Sequence, residues 1–416
     1  MKKTSFKTFS LITYLVFSCS LLMGFYLDET ISGPGAKMDF YYTWGYVLDL
    51  QNNILSNPKQ WTIHTPLHYI ILSKLNLIIG NQEIVRFLTF TTAFLVPYLF
   101  FVNLKIKFPE IEKKIILIFA LSIFLYPSFR YSAIWANNHI TGLIFFLLST
   151  YFYFKWEKIK PLSFNKYLIL STLSLALAVY TRQYYALIFI YFLYIFFQKL
   201  NFLNFIKISI IIFIFSLPGF YLIYNFPNLL KTTFTPRFHN TLLINFSILS
   251  FYFIPFFLVF FLNSKKNIFF QKKYVVSFLI SVIFIIILIA LGFDYLTYTK
   301  AGGGFFLKIS HMFFDNSYLF YLTSLFGIFC IALLSIEDKK NILMFFLLIF
   351  GFSGWVIYQK SFEPMFVFIL FLLINSRVIT SFFKYKKNIM IYYGYIFLYF
   401  ISAILNDYFK FTSSVQ

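Results

Sequence analysis

Two adjacent carboxylates, Asp28 and Glu29, close the first apolar run of this 416-residue chain, in the stretch YLDETISGPG at 26–35. The whole chain carries only fourteen acidic residues, so a pair at one edge needs a reason. A carboxylate where hydrocarbon meets water is partly desolvated, which raises its proton affinity and suits it to act as a general base. The competing reading is that the pair ends a span and anchors it among headgroups. Two further acids, Asp39 and Asp49, follow among Tyr41, Tyr42, Trp44 and Tyr46, ahead of Trp61 and His64 in PKQWTIHTPLHYII. Aromatics so placed form an interfacial belt, or stack on the C–H faces of a sugar ring whose hydroxyls need acceptors.

The cations invite a complementary question. Arg182, in AVYTRQYYALIF, lies between two apolar runs with no acid nearby in sequence. An unpaired guanidinium at that depth is costly and calls for an anion, unless it snorkels to the headgroups. In TYTKAGGGFFLKISH, Lys300 and Lys308 flank Gly302, Gly303 and Gly304. Consecutive glycines let backbone N–H groups approach a phosphate, or form a plain exterior turn; the GxxxxGK[ST] pattern of a nucleotide loop is missing. Asn137, Asn138 and His139 follow RYSAIWA at a helix end, where an asparagine caps the next helix or touches substrate. His64 and His68 are spaced i, i+4, but Pro66 lies between them and the glutamate of HExxH is absent, so no metal and no cofactor is assigned.

These residues need a frame. At 60% hydrophobic and 24% aromatic, the chain is far from the balance of a soluble domain and reads as an all-α polytopic membrane protein. Cys19 and Cys330 fall inside apolar runs and offer neither a disulfide framework nor metal spacing. The formal charge of +21 comes in short lysine clusters between apolar segments. That pattern orients membrane helices and does not form the single basic face that nucleic acid requires. Lys2, Lys3 and Lys7 precede the first apolar run as in a signal peptide, yet no small-x-small cleavage site follows, so the segment stays as the first helix.

At about 20 apolar residues per span, thirteen spans are predicted, near 7–27, 84–104, 115–133, 139–155, 167–181, 183–198, 207–223, 241–262, 274–293, 317–336, 341–358, 363–376 and 389–405. Segment 65–80 is shorter and carries Lys74 in its middle. If it lies along the membrane without crossing, the N-terminus is cytoplasmic and 23 of the 35 Lys and Arg residues face inward, as the positive-inside rule favours. The loops at about 28–83, 224–240 and 294–316 then share the exterior face of one domain covering 1–416, the first of them containing juxtamembrane helices.

In that order, YLDE, then PKQWTIHTP leading into LHYI, then TRQ at 181–183 and HMFFDNSYLFYL at 311–322 resemble the membrane-embedded GT-C glycosyltransferases. Within them the likeness is greatest to the dolichyl-phosphate-glucose-dependent alpha-1,2-glucosyltransferases. The resemblance implies a polyprenyl-phosphate-sugar donor, a glycan or lipid acceptor, inversion at the anomeric carbon, and a base in the first exterior loop, matched by Asp28 with Glu29 beside it. The family's Asp-Asn-Arg-His-Tyr block is met by Asp315, Asn316, Ser317 and Tyr318 without the Arg-His pair, which leaves donor and acceptor identity open.

A displacement of this kind needs a base for the acceptor proton and a cation for the departing phosphate. Arg182, Arg237, Lys300, Lys308 and His311 are the expected phosphate-binding groups; Asp39, Trp61, His64, Asn138, Asp315 and Asn316 are the expected acceptor or sugar contacts. The expected setting is the plasma membrane, multi-pass, with the site on the exterior face and membrane lipids as surroundings. A transporter, flippase or polymerase of polyprenyl-linked glycans is the alternative. A transporter would show repeated halves and mid-membrane charges, whereas polar residues here gather on one side and the early loop is the richest.

Overall fold

The computed structural model describes residues 6–31, 35–52, 64–225, 238–264, 270–293, 302–352 and 357–414, with the backbone alone at 238 and 407–414. Every regular element among them is helical. The chain divides into two compact units, Met1–Leu229 with Tyr393–Gln416, and Leu230–Tyr392. No linker or change of composition marks that division in the sequence.

The first unit holds α1 Phe6–Tyr26, α2 Gly35–Asn52, α3 Leu67–Ile79, α4 Gln82–Thr92, α5 Leu95–Lys107, α6 Lys113–Leu121, α7 Pro127–Ile134, α8 Asn138–Glu157, α9 Lys166–Thr181, α10 Ala186–Lys199 and α11 Phe202–Asn225. The second holds α12 Phe238–Leu262, α13 Lys272–Ala290, α14 Gly304–Phe314, α15 Tyr318–Glu337, α16 Lys339–Gly351, α17 Met365–Leu372 and α18 Arg377–Phe382; α19 Lys386–Ser414 begins there and ends in the first unit.

The chain is a multi-pass membrane protein, with fewer helices of spanning length among the described residues than the thirteen expected. Among the described residues seven helices are long and apolar enough to cross a bilayer: Phe6–Tyr26, Gln82–Lys107, Phe202–Asn225, His239–Leu262, Lys272–Ala290, Tyr318–Glu337 and Lys386–Asn406. An eighth is formed if Lys113–Leu125 and Pro127–Ile134, bent by 68° at Tyr126, are one span. The five other segments counted from the sequence become α8, which ends in Lys155 and Glu157, and four helices of 16, 14, 13 and 8 residues, α9, α10, α16 and α17. All eight residues of α17 are buried. An apolar run signals burial in protein as readily as burial in lipid, and length alone separates the two. Segment 65–80 yields the 13-residue α3, also short of a span.

Local chemistry fixes the helix starts around the first cluster of charges. Asn81 caps α4 by accepting from the amides of Glu83 and Ile84, with Glu83 in the positive first turn. Pro127 opens α7, and the side chain of Asn137 caps α8 through the His139 amide. In the second unit small residues bring helices close: Ser324 Oγ donates to the carbonyl of Leu243, and a Cβ on Gly327 would stand 2.1 Å from the carbonyl oxygen of Phe246.

Candidate functional site

Helix α1 ends in two backbone bonds, Asp28 N–H to the carbonyl of Phe25 (3.2 Å) and Glu29 N–H to that of Gly24 (2.9 Å). This is the Schellman pattern, in which the residue after the helix takes the left-handed conformation that glycine favours. Asp28 occupies that position with φ 51°. A non-glycine residue there costs about 1 kcal/mol, so the carboxylate stands at a strained point of the backbone.

The two adjacent acids have opposite fates. Glu29 accepts Arg130 Nε at Oε1 (2.7 Å) and Arg130 Nη2 at Oε2 (2.6 Å), and only 13% of its side chain is exposed. Both of its oxygens are held. Asp28 Oδ1 accepts Arg86 Nη1 at 2.9 Å, while Oδ2 meets only Lys37 Nζ at 3.8 Å, with 45% of the side chain exposed. One oxygen is anchored, and the other has no closer partner among the described residues.

The cation that anchors Asp28 is itself built in. The Arg86 guanidinium lies 4.5 Å from the ring centres of both Phe25 and Trp135, a sandwich that favours a flat cation over an ammonium. Its Nε also approaches Glu83 Oε2 at 2.8 Å, as an ion-pair contact without aligned hydrogen-bond geometry. Trp135 carries Lys37 at 5.0 Å from its ring and donates its indole N–H to the carbonyl of Glu29 at 3.0 Å. Beside it stands the half-exposed ring of Tyr41, whose hydroxyl pKa is raised by burial and by the Glu83 charge.

The residue after Trp135 leads to a second polar group in the same unit. Ala136, at φ 45°, turns its carbonyl to His68 Nε2 (2.8 Å), so that nitrogen carries the proton and Nδ1 accepts Thr141 Oγ1 at 2.9 Å. Burial pushes the His68 pKa down to about 4, with the nearby Arg182 charge adding to the effect. Arg182 is 7% exposed, with Nε and Nη1 buried and without a hydrogen-bond partner; its guanidinium lies 5.1 Å from the ring centre of Tyr184. Asn138, 2% exposed, donates to the Tyr69 hydroxyl at 3.4 Å and leaves Oδ1 without a partner.

The remaining expected residues are dispersed. Asp39 is exposed on α2, and His64 is half-buried in the turn before α3. Trp61, Arg237 and Lys300 lie outside the described residues. In the second unit Lys308 is exposed on α14, and His311 Nε2 pairs with Ser317 Oγ at 3.0 Å, its pKa lowered chiefly by partial burial. Asp315 ends α14 at φ 47°, and Asn316 folds onto its own backbone, accepting from Tyr318 N–H and donating to the carbonyl of Phe314. Asn316 is thus a turn former. The glycine run also serves the backbone: Gly303 N–H donates to the carbonyl of Ile357, Phe305 N–H to Gln359 Oε1, and a Cβ on Gly304 would stand 2.6 Å from Ile248. Those amides are used within the chain.

Sequence reasoning passed over Arg86, Arg130 and Trp135. The signal was available for the two arginines, since each sits in a largely apolar stretch as Arg182 does. No family model, curated protein or solved structure matches this chain. Among the described residues no group of histidine, cysteine and carboxylate side chains has the geometry of a metal site.

Proposed function

We propose that this protein is an inverting glycosyltransferase of the membrane, moving a hexose from a polyprenyl-phosphate-sugar donor to a glycan or lipid hydroxyl on the exterior face of the plasma membrane. The observation that carries the reading is the division of labour at Asp28, where Arg86 fixes one carboxylate oxygen and the other stays accessible. A general base needs that arrangement: a set orientation and a free lone pair within reach of the proton it removes.

In the proposed step Asp28 Oδ2 takes the acceptor's hydroxyl proton as the acceptor oxygen bonds to the anomeric carbon. The bond from that carbon to the phosphate oxygen breaks in the same displacement, and the phosphate leaves with the electron pair. Arg182, buried and short of partners, is the cation to receive that charge, which a water-poor setting makes more effective. Glu29 supports the turn and is not a second base.

Asp28→Asn is the deciding variant, because asparagine tolerates the left-handed conformation and keeps the shape while losing the base. With a radiolabelled undecaprenyl-phosphate hexose and native membranes as acceptor, transfer should fall by about 100-fold or more, with expression and insertion unchanged. Full transfer by Asp28→Asn would remove this acid from the mechanism.

A further inference from the structure

Resting on the transferase reading, we infer that Arg130 is a positioning residue: through Glu29 it holds the left-handed turn that presents the free oxygen of Asp28. Arg130 is 3% exposed and its donors are engaged. Nε and Nη2 hold Glu29, Nη1 donates to Ser20 Oγ (2.8 Å) and the carbonyl of Phe124 (3.2 Å), and Nη2 also reaches the carbonyl of Ser20 (2.9 Å). It has nothing left for a ligand. Its role differs in kind from that of Arg182.

Glu29 is fixed at three points: its carboxylate by Arg130, its N–H by the carbonyl of Gly24, and its own carbonyl by the Trp135 indole. The peptide joining it to Asp28 therefore has no freedom to rotate. Asp28 by itself has one short side-chain contact, to Arg86, and one backbone bond, to Phe25, too little to over-determine a strained φ. Gly24 supplies the space, for a Cβ there would stand 2.5 Å from Glu29 Oε2 and 2.9 Å from Arg130 Nη2. Loss of the Arg130–Glu29 pair lets the turn relax, and Asp28 then leaves both its orientation and its partner Arg86.

The test reads Asp28 without any substrate. The full-length protein in detergent is treated with a water-soluble carbodiimide and glycinamide across a pH series, and modification of Asp28 is followed by peptide mass spectrometry. Arg86→Gln gives the profile of a released Asp28. The charged groups facing it, Arg86, Glu83, Lys37, Tyr41, Glu29 and Arg130, stay in place except where varied. Glu29→Gln should raise the extent of Asp28 modification toward the released profile, because the relaxed turn takes Asp28 away from Arg86. Ser20→Ala, at an exposed position, removes a single bond, and Trp135→Phe removes the indole bond together with part of the ring that carries Arg86 and Lys37; each should raise it part of the way.

In the transfer assay with radiolabelled undecaprenyl-phosphate hexose, Glu29→Gln should lower kcat by about 100-fold with the donor KM unchanged. An unchanged Asp28 profile in Ser20→Ala and Trp135→Phe, or a loss expressed in donor KM alone, overturns the inference. Asp28→Asn run alongside separates the two ideas. Retained transfer in that variant sinks the base assignment whatever the labelling gives, whereas lost transfer there with unmoved labelling in the lock variants sinks the lock alone.

Discussion

Removal of the Arg182 charge should stabilise the empty protein and abolish its response to a lipid phosphate. Arg182 is 7% exposed, and its Nε and Nη1 have no hydrogen-bond partner among the described residues. Burial of an ion costs several kcal/mol, and exchange of even a paired buried ion for apolar side chains is often stabilising by about 1–4 kcal/mol. The Tyr184 ring at 5.1 Å offsets about 1–2 kcal/mol of that cost. Arg182→Met, similar in length and apolar, should therefore gain about 2 kcal/mol, or roughly 5 °C in melting midpoint for a unit of this size. Undecaprenyl phosphate at about 100 times its Kd should add roughly 2.7 kcal/mol to the wild type and nothing to the variant. The order of stability thus inverts on adding ligand. Arg182→Lys keeps the charge without the fork and should show a reduced shift. A variant that melts below the empty wild type, or that keeps the full lipid-phosphate shift, would refute the reasoning.

Two further perturbations test the packing of each unit by itself. His68 stays neutral in the fold down to about pH 4 because of burial and Arg182, whereas in the unfolded chain it titrates near the ordinary value of about 6.5. Between those values the unfolded state binds the extra proton, so stability contributed by neutral His68 is present above about pH 6.5 and is lost as pH falls toward 4, by up to about 3 kcal/mol. Melting of wild type and His68→Gln at pH 7 and pH 4.5 should diverge by that amount, and parallel curves would contradict it. Gly327→Ala forces its methyl group against the carbonyl oxygen of Phe246 and should cost about 1–3 kcal/mol through separation of α12 and α15. Gly394→Ala, with no atom within 4 Å of the added Cβ, is the matched control and should be neutral or slightly stabilising in a melting assay.

Composition and local pattern carry the membrane class, the helical content and the position of the acid pair. The pairing of those acids is out of their reach. Asp28 meets Arg86 across 58 positions and Glu29 meets Arg130 across 101, and no periodicity encodes which of two neighbouring carboxylates turns inward. The Schellman end of α1 decides it, because it sets Asp28 in the left-handed region and directs the next residue toward α7. The difference between thirteen expected spans and the seven or eight helices of spanning length has a related reason. The run at 363–376 is apolar because α17 is enclosed by protein, and hydropathy assigns the same value to either environment. The glycines at 302–304 suit close approach to a phosphate or a tight turn equally well, and only the partners of their amides distinguish the two.

The distribution of charge in the first unit separates its arginines by role. Arg86 is matched by Asp28 and Glu83, Arg130 by Glu29, and Lys199 by Glu157. Each of these cations has its anion within the fold, and each is thereby committed to structure or to orienting a neighbour. Arg182 is as deeply buried as Arg86 and, among the described residues, pairs with no carboxylate. Under the proposed function, the anion that completes Arg182 comes from the donor. On that proposal, a cation at Arg182 and a proton acceptor at Asp28 are the two groups that a displacement at an anomeric carbon requires, one for the leaving oxygen and one for the attacking oxygen. If Arg182 were only a snorkelling anchor, its guanidinium would reach water and its nitrogens would not be sealed from it.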